Sequence, residues 1–223
     1  MTSAIVTGGA SGIGSAIVSR LRHEGLEVEV LDLTTGFDVG EPEAWEAVEA
    51  PDVACLNAGV PGGPPDPADL TLDGYRRALT VNVDGVVLGV RRLARVMSPG
   101  GRIVCTASLA GLTAMADDPV YAATKHAVIG FVRSAAPALA RRGVSINAVC
   151  PGIADTPMLT GAVREALDAA AVWLALESGL TGHAWAVQPG RQPVDFRFPN
   201  VPGPRSAEGE PVPAPPPLSG DPT

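Results

Sequence analysis

The chain has 223 residues, enough for one large α/β domain, and its 46% hydrophobic content suffices for a sizeable core. A formal charge of −8 and a pI near 4.8 argue against nucleic acid or an anionic membrane surface as partner, because both attract basic proteins. No apolar run reaches the roughly 18 residues of a membrane span, and the first residues carry no basic leader, so the sequence predicts a cytoplasmic protein.

In chain order, the first predicted elements are a strand over Ser3 to Thr7 and a helix over Ile13 to Glu24, joined by Thr7-Gly8-Gly9-Ala10-Ser11-Gly12-Ile13-Gly14. Glycines at 8, 12 and 14 permit a tight turn and let a pyrophosphate approach the backbone at the positive end of the helix. Between a strand and a helix, such a run is a dinucleotide fingerprint; elsewhere it would be a weak glycine match. A second strand over Val28 to Leu31 ends at Asp32, where a carboxylate can accept hydrogen bonds from an adenosine ribose. A cofactor 2′-phosphate there would meet a like charge, at about 1 kcal/mol in water and several times more when partly buried. No Lys or Arg follows in Leu33-Thr34-Thr35, so the expected cofactor is NAD. Between Asp32 and Asp38 there is no room for a full helix, and a short loop is expected before a helix over Glu41 to Val48.

The third strand, Val53 to Leu56, runs into Asn57-Ala58-Gly59 and then into Pro61 to Pro67, a loop with four prolines and two glycines. A single helix is predicted over Leu72 to Met97, then a fourth strand over Arg102 to Thr106. The next helix, Val120 to Arg141, contains Pro137, which is expected to kink or restart it. Strands over Ser145 to Val149 and His183 to Val187 bracket a helix over Arg164 to Leu176. Strands and helices taking turns imply βαβ units around a parallel sheet.

Lys125 is the only lysine, the other fifteen strong cations being arginine, and it follows Tyr121, one of two tyrosines, by four residues. Helical i,i+4 spacing puts the two on one face. An ammonium is a compact charge on a flexible stem, able to sit beside a phenol and still reach a ligand hydroxyl. It favours the phenolate, drawing the tyrosine pKa down from about 10 towards the range of a general base.

Cys55, Cys105 and Cys150 each lie in an apolar run and read as buried reduced thiols. His23, His126 and His183 show no ligand spacing, so no metal site is expected, and His126 reads as structural. Trp45, Trp173 and Trp185 read as packing residues, and Asp117 with Asp118 as a solvated turn. Residues 191–223 hold ten prolines and little to bury beyond Val194, Phe196, Phe198 and Val201. Residues 191–205 suit an extended arm lying on the domain or on a neighbouring subunit, and composition from residue 206 onward predicts disorder or polyproline conformation.

Taken together, these residues resemble the classical short-chain dehydrogenase/reductase family over roughly residues 1–190. Thr7 to Gly14 matches the family's TGxxxGxG loop, Leu56-Asn57-Ala58-Gly59 its NNAG segment, and Asn82 its catalytic asparagine. Ser108 and the Tyr121-Lys125 pair match its serine and YxxxK motif, and Pro151-Gly152 with Thr156 matches the segment that closes over nicotinamide. The resemblance implies an α/β fold, a Rossmann-like doubly wound parallel sheet with helices on both faces, in one NAD-binding domain over 1–190 followed by a Pro-rich extension over 191–223. It implies an NAD-dependent oxidoreductase moving a hydride between nicotinamide and a secondary alcohol or ketone. Tyr121 would be the general acid/base, Ser108 the holder of the substrate oxygen, Lys125 the holder of the nicotinamide ribose, and Asn82 the residue that positions a water linking Lys125 to solvent. Cofactor contacts are expected from Gly8, Ser11, Gly12, Ile13, Gly14, Asp32, Leu33, Asp38, Val39, Asn57, Ala58, Gly59, Tyr121, Lys125, Pro151, Gly152, Ile153 and Thr156. Substrate contacts are expected from Ser108, Leu109, Tyr121 and Met158.

The apolar character of Leu109, Ala110, Met115, Ala116, Met158 and Leu159 suggests a neutral substrate. Leu56 departs from the NNAG pattern, which should alter strand bonding more than chemistry. The stretch between Thr156 and Thr181 is shorter than the family's lid, implying a more open pocket that the tail, through Phe196 and Phe198, would partly cover. Family members assemble with closed symmetry, and the small residues Ala122, Ala123, Ala127 and Gly130 suit a homodimer or homotetramer. A silent dinucleotide-binding regulator would usually have lost its serine, tyrosine or lysine, and all three are present; a redox-neutral isomerase or dehydratase is the other use of such a fold.

Overall fold

The computed structural model describes residues 2–152, 169, 172–188 and 191–199. Seven strands form one sheet: β1 (Ser3–Thr7), β2 (Glu27–Leu31), β3 (Val53–Leu56), β4 (Arg102–Thr106), β5 (Ser145–Pro151), β6 (Ala184–Val187) and β7 (Val194–Asp195). Their order is β2-β1-β3-β4-β5-β6-β7, parallel except for β7, which pairs antiparallel with β6. This is the doubly wound α/β fold that the family resemblance implies, built on the parallel sheet that the alternation predicts.

Side chains alternate across the sheet with period two and feed two cores. Ile5, Ala54, Leu56, Ile103, Cys105, Ile146 and Ala148 face one layer; Ala4, Val6, Val53, Cys55, Val104 and Val149 face the other. Because parallel strands are buried on both faces, β3 and β4 read as near-continuous apolar runs, and their predicted bounds coincide with the observed ones. Helix α1 (Gly12–His23) packs Ile17, Val18 and Leu21 on the second layer, together with Val172 and Leu176 of the helical residues 172–177. Helices α2 (Pro42–Glu46), α4 (Gly85–Val96) and α5 (Pro119–Ala140) cover the first. Each fully buried Leu, Ile or Val contributes about 1.5–3 kcal/mol. Cys55, Cys105 and Cys150 are free and buried, and burial pushes each thiol up to about 12.

The predicted helix over Leu72 to Met97 is three segments. Helix α3 (Leu72–Leu79) passes through a π-helical turn, Thr80–Asp84, into α4, with Gly85 N–H donating to Thr80 C=O. The extra residue in that turn carries Asn82. The link after β2 is a 3₁₀ turn, Leu33–Thr35, and the five-residue α2, shorter than the predicted Glu41 to Val48. The archetypal doubly wound order has a further strand outside the second one. Here the chain turns back too soon to build it, and β2 is the sheet edge.

Pro137 does not restart α5, which runs on through it to Ala140. It sits one turn from the helix end, so only the carbonyl of Arg133 forgoes its partner, and Leu139 is anchored in the core. The arm after residue 191 lies on the domain: β7 pairs with β6, Phe196 and Phe198 pack edge to face at 4.9 Å, and the Arg133 guanidinium stacks over Phe198 at 3.7 Å. His183 Nδ1 lies 2.9 Å from Asp195 Oδ2 across the same hairpin. Among the described residues no helix is long and apolar enough to cross a membrane.

Candidate functional site

Strand order reverses between β1 and β3, because the chain goes from β1 to one side and then returns to the other. In open α/β sheets, ligands bind in the crevice at such a switch point, beyond the carboxyl ends of the strands. A cleft of about 640 Å³ opens there. Three strand ends are tied together at its floor: Thr7 Oγ1 accepts from the N–H groups of Asn57 (2.8 Å) and Ala58 (3.1 Å), and Thr106 Oγ1 donates to Asn57 Oδ1 at 3.1 Å. Leu56, where the NNAG pattern has asparagine, fills the core instead.

The glycine-rich turn forms one end of the cleft. A Cβ on Gly14 would stand 2.0 Å from the Gly8 carbonyl oxygen, so only glycine lets the first turn of α1 close on the loop. Asp32 is held at the end of β2 by Thr34, whose N–H and hydroxyl both donate to Oδ1 at 2.9 Å, while Ala10 N–H reaches Oδ2 at 3.2 Å. These donors, the Thr34 backbone first, hold its carboxyl below the usual carboxylate range despite partial desolvation. Leu33 beside it is exposed, an apolar side chain presented at the cleft mouth.

At the other end stand Ser108, Tyr121 and Lys125, brought together from the end of β4 and the first turns of α5. Lys125 Nζ lies 5.4 Å from the Tyr121 ring centroid and donates to the Thr106 carbonyl at 2.9 Å. It is 3% exposed, and that desolvation draws its pKa down to about 8. Ser108 Oγ accepts from Ala110 N–H at 3.1 Å and lies 3.4 Å from the Pro151 carbonyl, a bond weak enough to be exchanged for a ligand. A Cβ on Gly59 would sit 3.4 Å from both Asn82 Oδ1 and Lys125 Nζ.

Asn82 does not line the cleft; it is fully buried behind it. Its amide clasps the backbone of Val60, accepting from the N–H at 2.8 Å and donating to the carbonyl at 2.9 Å, and also donates to Thr124 Oγ1 at 3.0 Å. The π turn supplies the offset that points this side chain across to the β3 loop, consistent with π segments marking functional positions. Gly8, Ser11, Gly12, Ile13, Gly14, Asp32, Leu33, Asp38, Val39, Asn57, Ala58, Gly59, Ser108, Tyr121, Lys125, Pro151 and Gly152 all line the one cleft. Leu109 does not: it packs against the core, its Cδ1 2.7 Å from where a Gly152 Cβ would be. Ile153, Thr156, Met158 and Leu159, with the larger part of the stretch between Thr156 and Thr181, lie outside the described residues.

Several lining residues escaped sequence reasoning. Arg77 of α3 is an exposed cation at the cleft, and Phe37, Val60, Val81, Thr106 and Ala107 add to its walls. Asp118 is no solvated turn residue but 8% exposed, accepting from Tyr121 N–H and Gly62 N–H at 2.8 Å each. Only its N-cap position, three residues before a helical tyrosine, hinted at this. Phe196 and Phe198 dock beside Arg133 on α5, and no described tail residue lines the cleft. Among the described residues no cluster of His, Cys, Asp or Glu could hold a metal ion.

A family model described as enoyl-(acyl carrier protein) reductase matches residues 42–179. Momilactone A synthase of Oryza sativa subsp. japonica is 33% identical over 190 residues, 72% of this chain and 69% of that protein. (+)-Borneol dehydrogenase 2 of Salvia officinalis is 32% identical over 193 residues, 73% of this chain and 68% of that protein. Among solved structures, a short-chain dehydrogenase from Burkholderia cenocepacia J2315 in complex with NADP superposes with a TM-score of 0.71 at 28% identity, covering 85% of this chain and 97% of that one.

Proposed function

The chain belongs to the short-chain dehydrogenase/reductase family, and from that membership and its cleft we propose that it is an NAD-dependent oxidoreductase of neutral, largely apolar secondary alcohols or ketones. The observation that carries this reading is the convergence of the glycine turn, Asp32, Ser108, Tyr121 and Lys125 in one cleft. The site fits a dinucleotide: Gly14 and Gly8 close the turn without side chains, the carboxylate of Asp32 faces the ribose position, and Lys125 waits at the far end. When bound, the nicotinamide supplies hydride acceptance or donation.

The residues do the rest. Tyr121 takes the alcohol proton in oxidation and returns it in reduction, with the Lys125 ammonium favouring its phenolate. Ser108 Oγ exchanges its long bond to Pro151 for the substrate oxygen. Lys125 would hold a ribose hydroxyl, and Asn82, its amide taken up by Val60 and Thr124, fixes the cleft wall from behind. Val60, Pro61, Ala107 and Met115 give the cleft apolar wall, and Asp118, the acid that bonds to the Tyr121 backbone, is occupied by backbone donors. These features support a neutral substrate.

The likeness to an NADP complex concerns that neighbour; Asp32 supports NAD for this chain. Replacing it with asparagine keeps the Thr34 bonds while removing the charge. Asp32→Asn should therefore raise the ratio of NADP to NAD kcat/KM by about fivefold to several hundredfold, the range to which 1–4 kcal/mol of charge repulsion converts. A ratio unchanged in steady-state assays would place cofactor choice elsewhere. The function itself is tested by screening secondary alcohols and ketones with both cofactors while following nicotinamide absorbance. Dinucleotide binding without turnover in either direction would refute it. For assembly, α5 leaves Ala123, Ala127 and Gly130 exposed while Ala122 turns inward, a small-residue surface that suits close packing of a second copy. Light scattering should give a dimer or tetramer at micromolar concentration; a monomer would defeat that expectation.

A further inference from the structure

We propose that Asp118 is a positioning residue for Tyr121, a buried carboxylate that straps the proline-rich loop to the first turn of α5 so that tyrosine and cleft wall move as one body; this rests on the oxidoreductase reading above. The geometry is specific. One carboxylate oxygen caps α5 by accepting from Tyr121 N–H, and the other accepts from Gly62 N–H, 56 residues away in sequence, each at 2.8 Å. The carboxylate is 8% exposed, and among the described residues no Lys, Arg or His forms an ion pair with it. Both of these bonds come from backbone N–H groups. Gly62 is seated so closely that a Cβ would stand 2.3 Å from Tyr121 N and 2.6 Å from Asp118 Oδ1.

A helix cap needs only one acceptor. The second bond ties down a segment whose neighbours Val60 and Pro61 line the cleft together with Tyr121. Asn82 already clasps Val60 from behind, so the loop is pinned at two points two residues apart, and its prolines stiffen the span beyond. The phenol and the wall against which a substrate would rest are thereby fixed relative to each other. Loss of such a contact displaces the acid/base group without touching the glycine-rich turn.

Asp118→Asn separates the two bonds, because an amide keeps one acceptor for the cap and presents an N–H group to Gly62. In this variant kcat should fall by about ten- to a hundredfold, the cost of a displacement near 1 Å, while NADH affinity, followed by fluorescence titration, stays within about twofold. Gly62→Ala, which wedges the same contact, should behave alike, and the double variant should be no worse than the worse single one because both break one contact. Hydrogen exchange of peptides spanning residues 60–67 should quicken in the free Asp118→Asn protein. A kcat within about twofold of wild type despite faster exchange would overturn the positioning role, as would a proportional loss of kcat, NADH affinity and melting temperature, which means general loosening. If wild type turned over no alcohol or ketone, the oxidoreductase reading would fall and exchange alone would judge the strap: unchanged protection overturns it. Should Asp118→Asn fail to fold, Gly62→Ala carries the same tests.

Discussion

Tyr121→Phe is expected to lower kcat/KM by about 10²- to 10⁴-fold, the contribution of a positioned general acid/base. The ring stays, so its packing near Lys125, 5.4 Å from the centroid, is kept and only the ionisable hydroxyl goes. NADH should still bind, because the glycine turn and Asp32 lie at the opposite end of the cleft. The loss should appear in kcat, since a proton transfer made only in the transition state has no counterpart in ground-state binding. Steady-state rates set against a fluorescence titration of NADH decide the matter. Loss of less than about tenfold would move proton transfer to another group.

Lys125→Met should remove activity and yet stabilise the free protein near neutral pH. The ammonium is 3% exposed, and burial alone draws its pKa from 10.5 down to about 8. By linkage this corresponds to a penalty of about 3 kcal/mol against folding with the lysine charged. Methionine removes that penalty and forfeits the bond to the Thr106 carbonyl, worth about 1 kcal/mol. A gain of a few degrees in melting temperature at pH 7 is the result. The sign with pH follows from proton uptake: between about 8 and 10.5 the unfolded chain still holds the proton that the folded chain has shed, so wild-type stability rises with pH across that window. The advantage of Lys125→Met, full below pH 8, should fade towards pH 10 in calorimetry. A destabilised variant at pH 7 would mean that the ammonium is better solvated than its burial implies. The same buried charge that weakens the fold is the one placed to bias Tyr121, a trade found where sites demand strain.

Much of this was legible because local chemistry decided it. Residues in β3 and β4 are apolar on both faces, and the glycine turn can serve little else, so those two strands and one end of the cleft follow from neighbours in sequence, whereas the strand order does not. The rest depended on partners far away. Leu72 to Met97 keeps a helical apolar period throughout, and the extra residue around Asn82 answers to Val60, a partner 22 residues away in sequence. Asp118 looks like half of a polar pair with Asp117 until Gly62 is brought against it. Pro137 is a helix breaker by residue type, yet α5 runs past it because its place near the helix end decides what it costs. Two residues of β7 have no strand signal of their own; the exposed margin of β6 recruits them.

The sheet's two margins are shielded by unlike means. On the β2 side, with no outer neighbour, Glu27 and Glu29 repel any would-be adjoining strand through like charge, a common guard against self-association. On the β6 side, where Ala184 and Ala186 offer no charge at all, the short antiparallel return clamped by Phe198 beneath Arg133 satisfies the backbone instead. A short arm with no strand signal of its own thus acts as a seal on that margin.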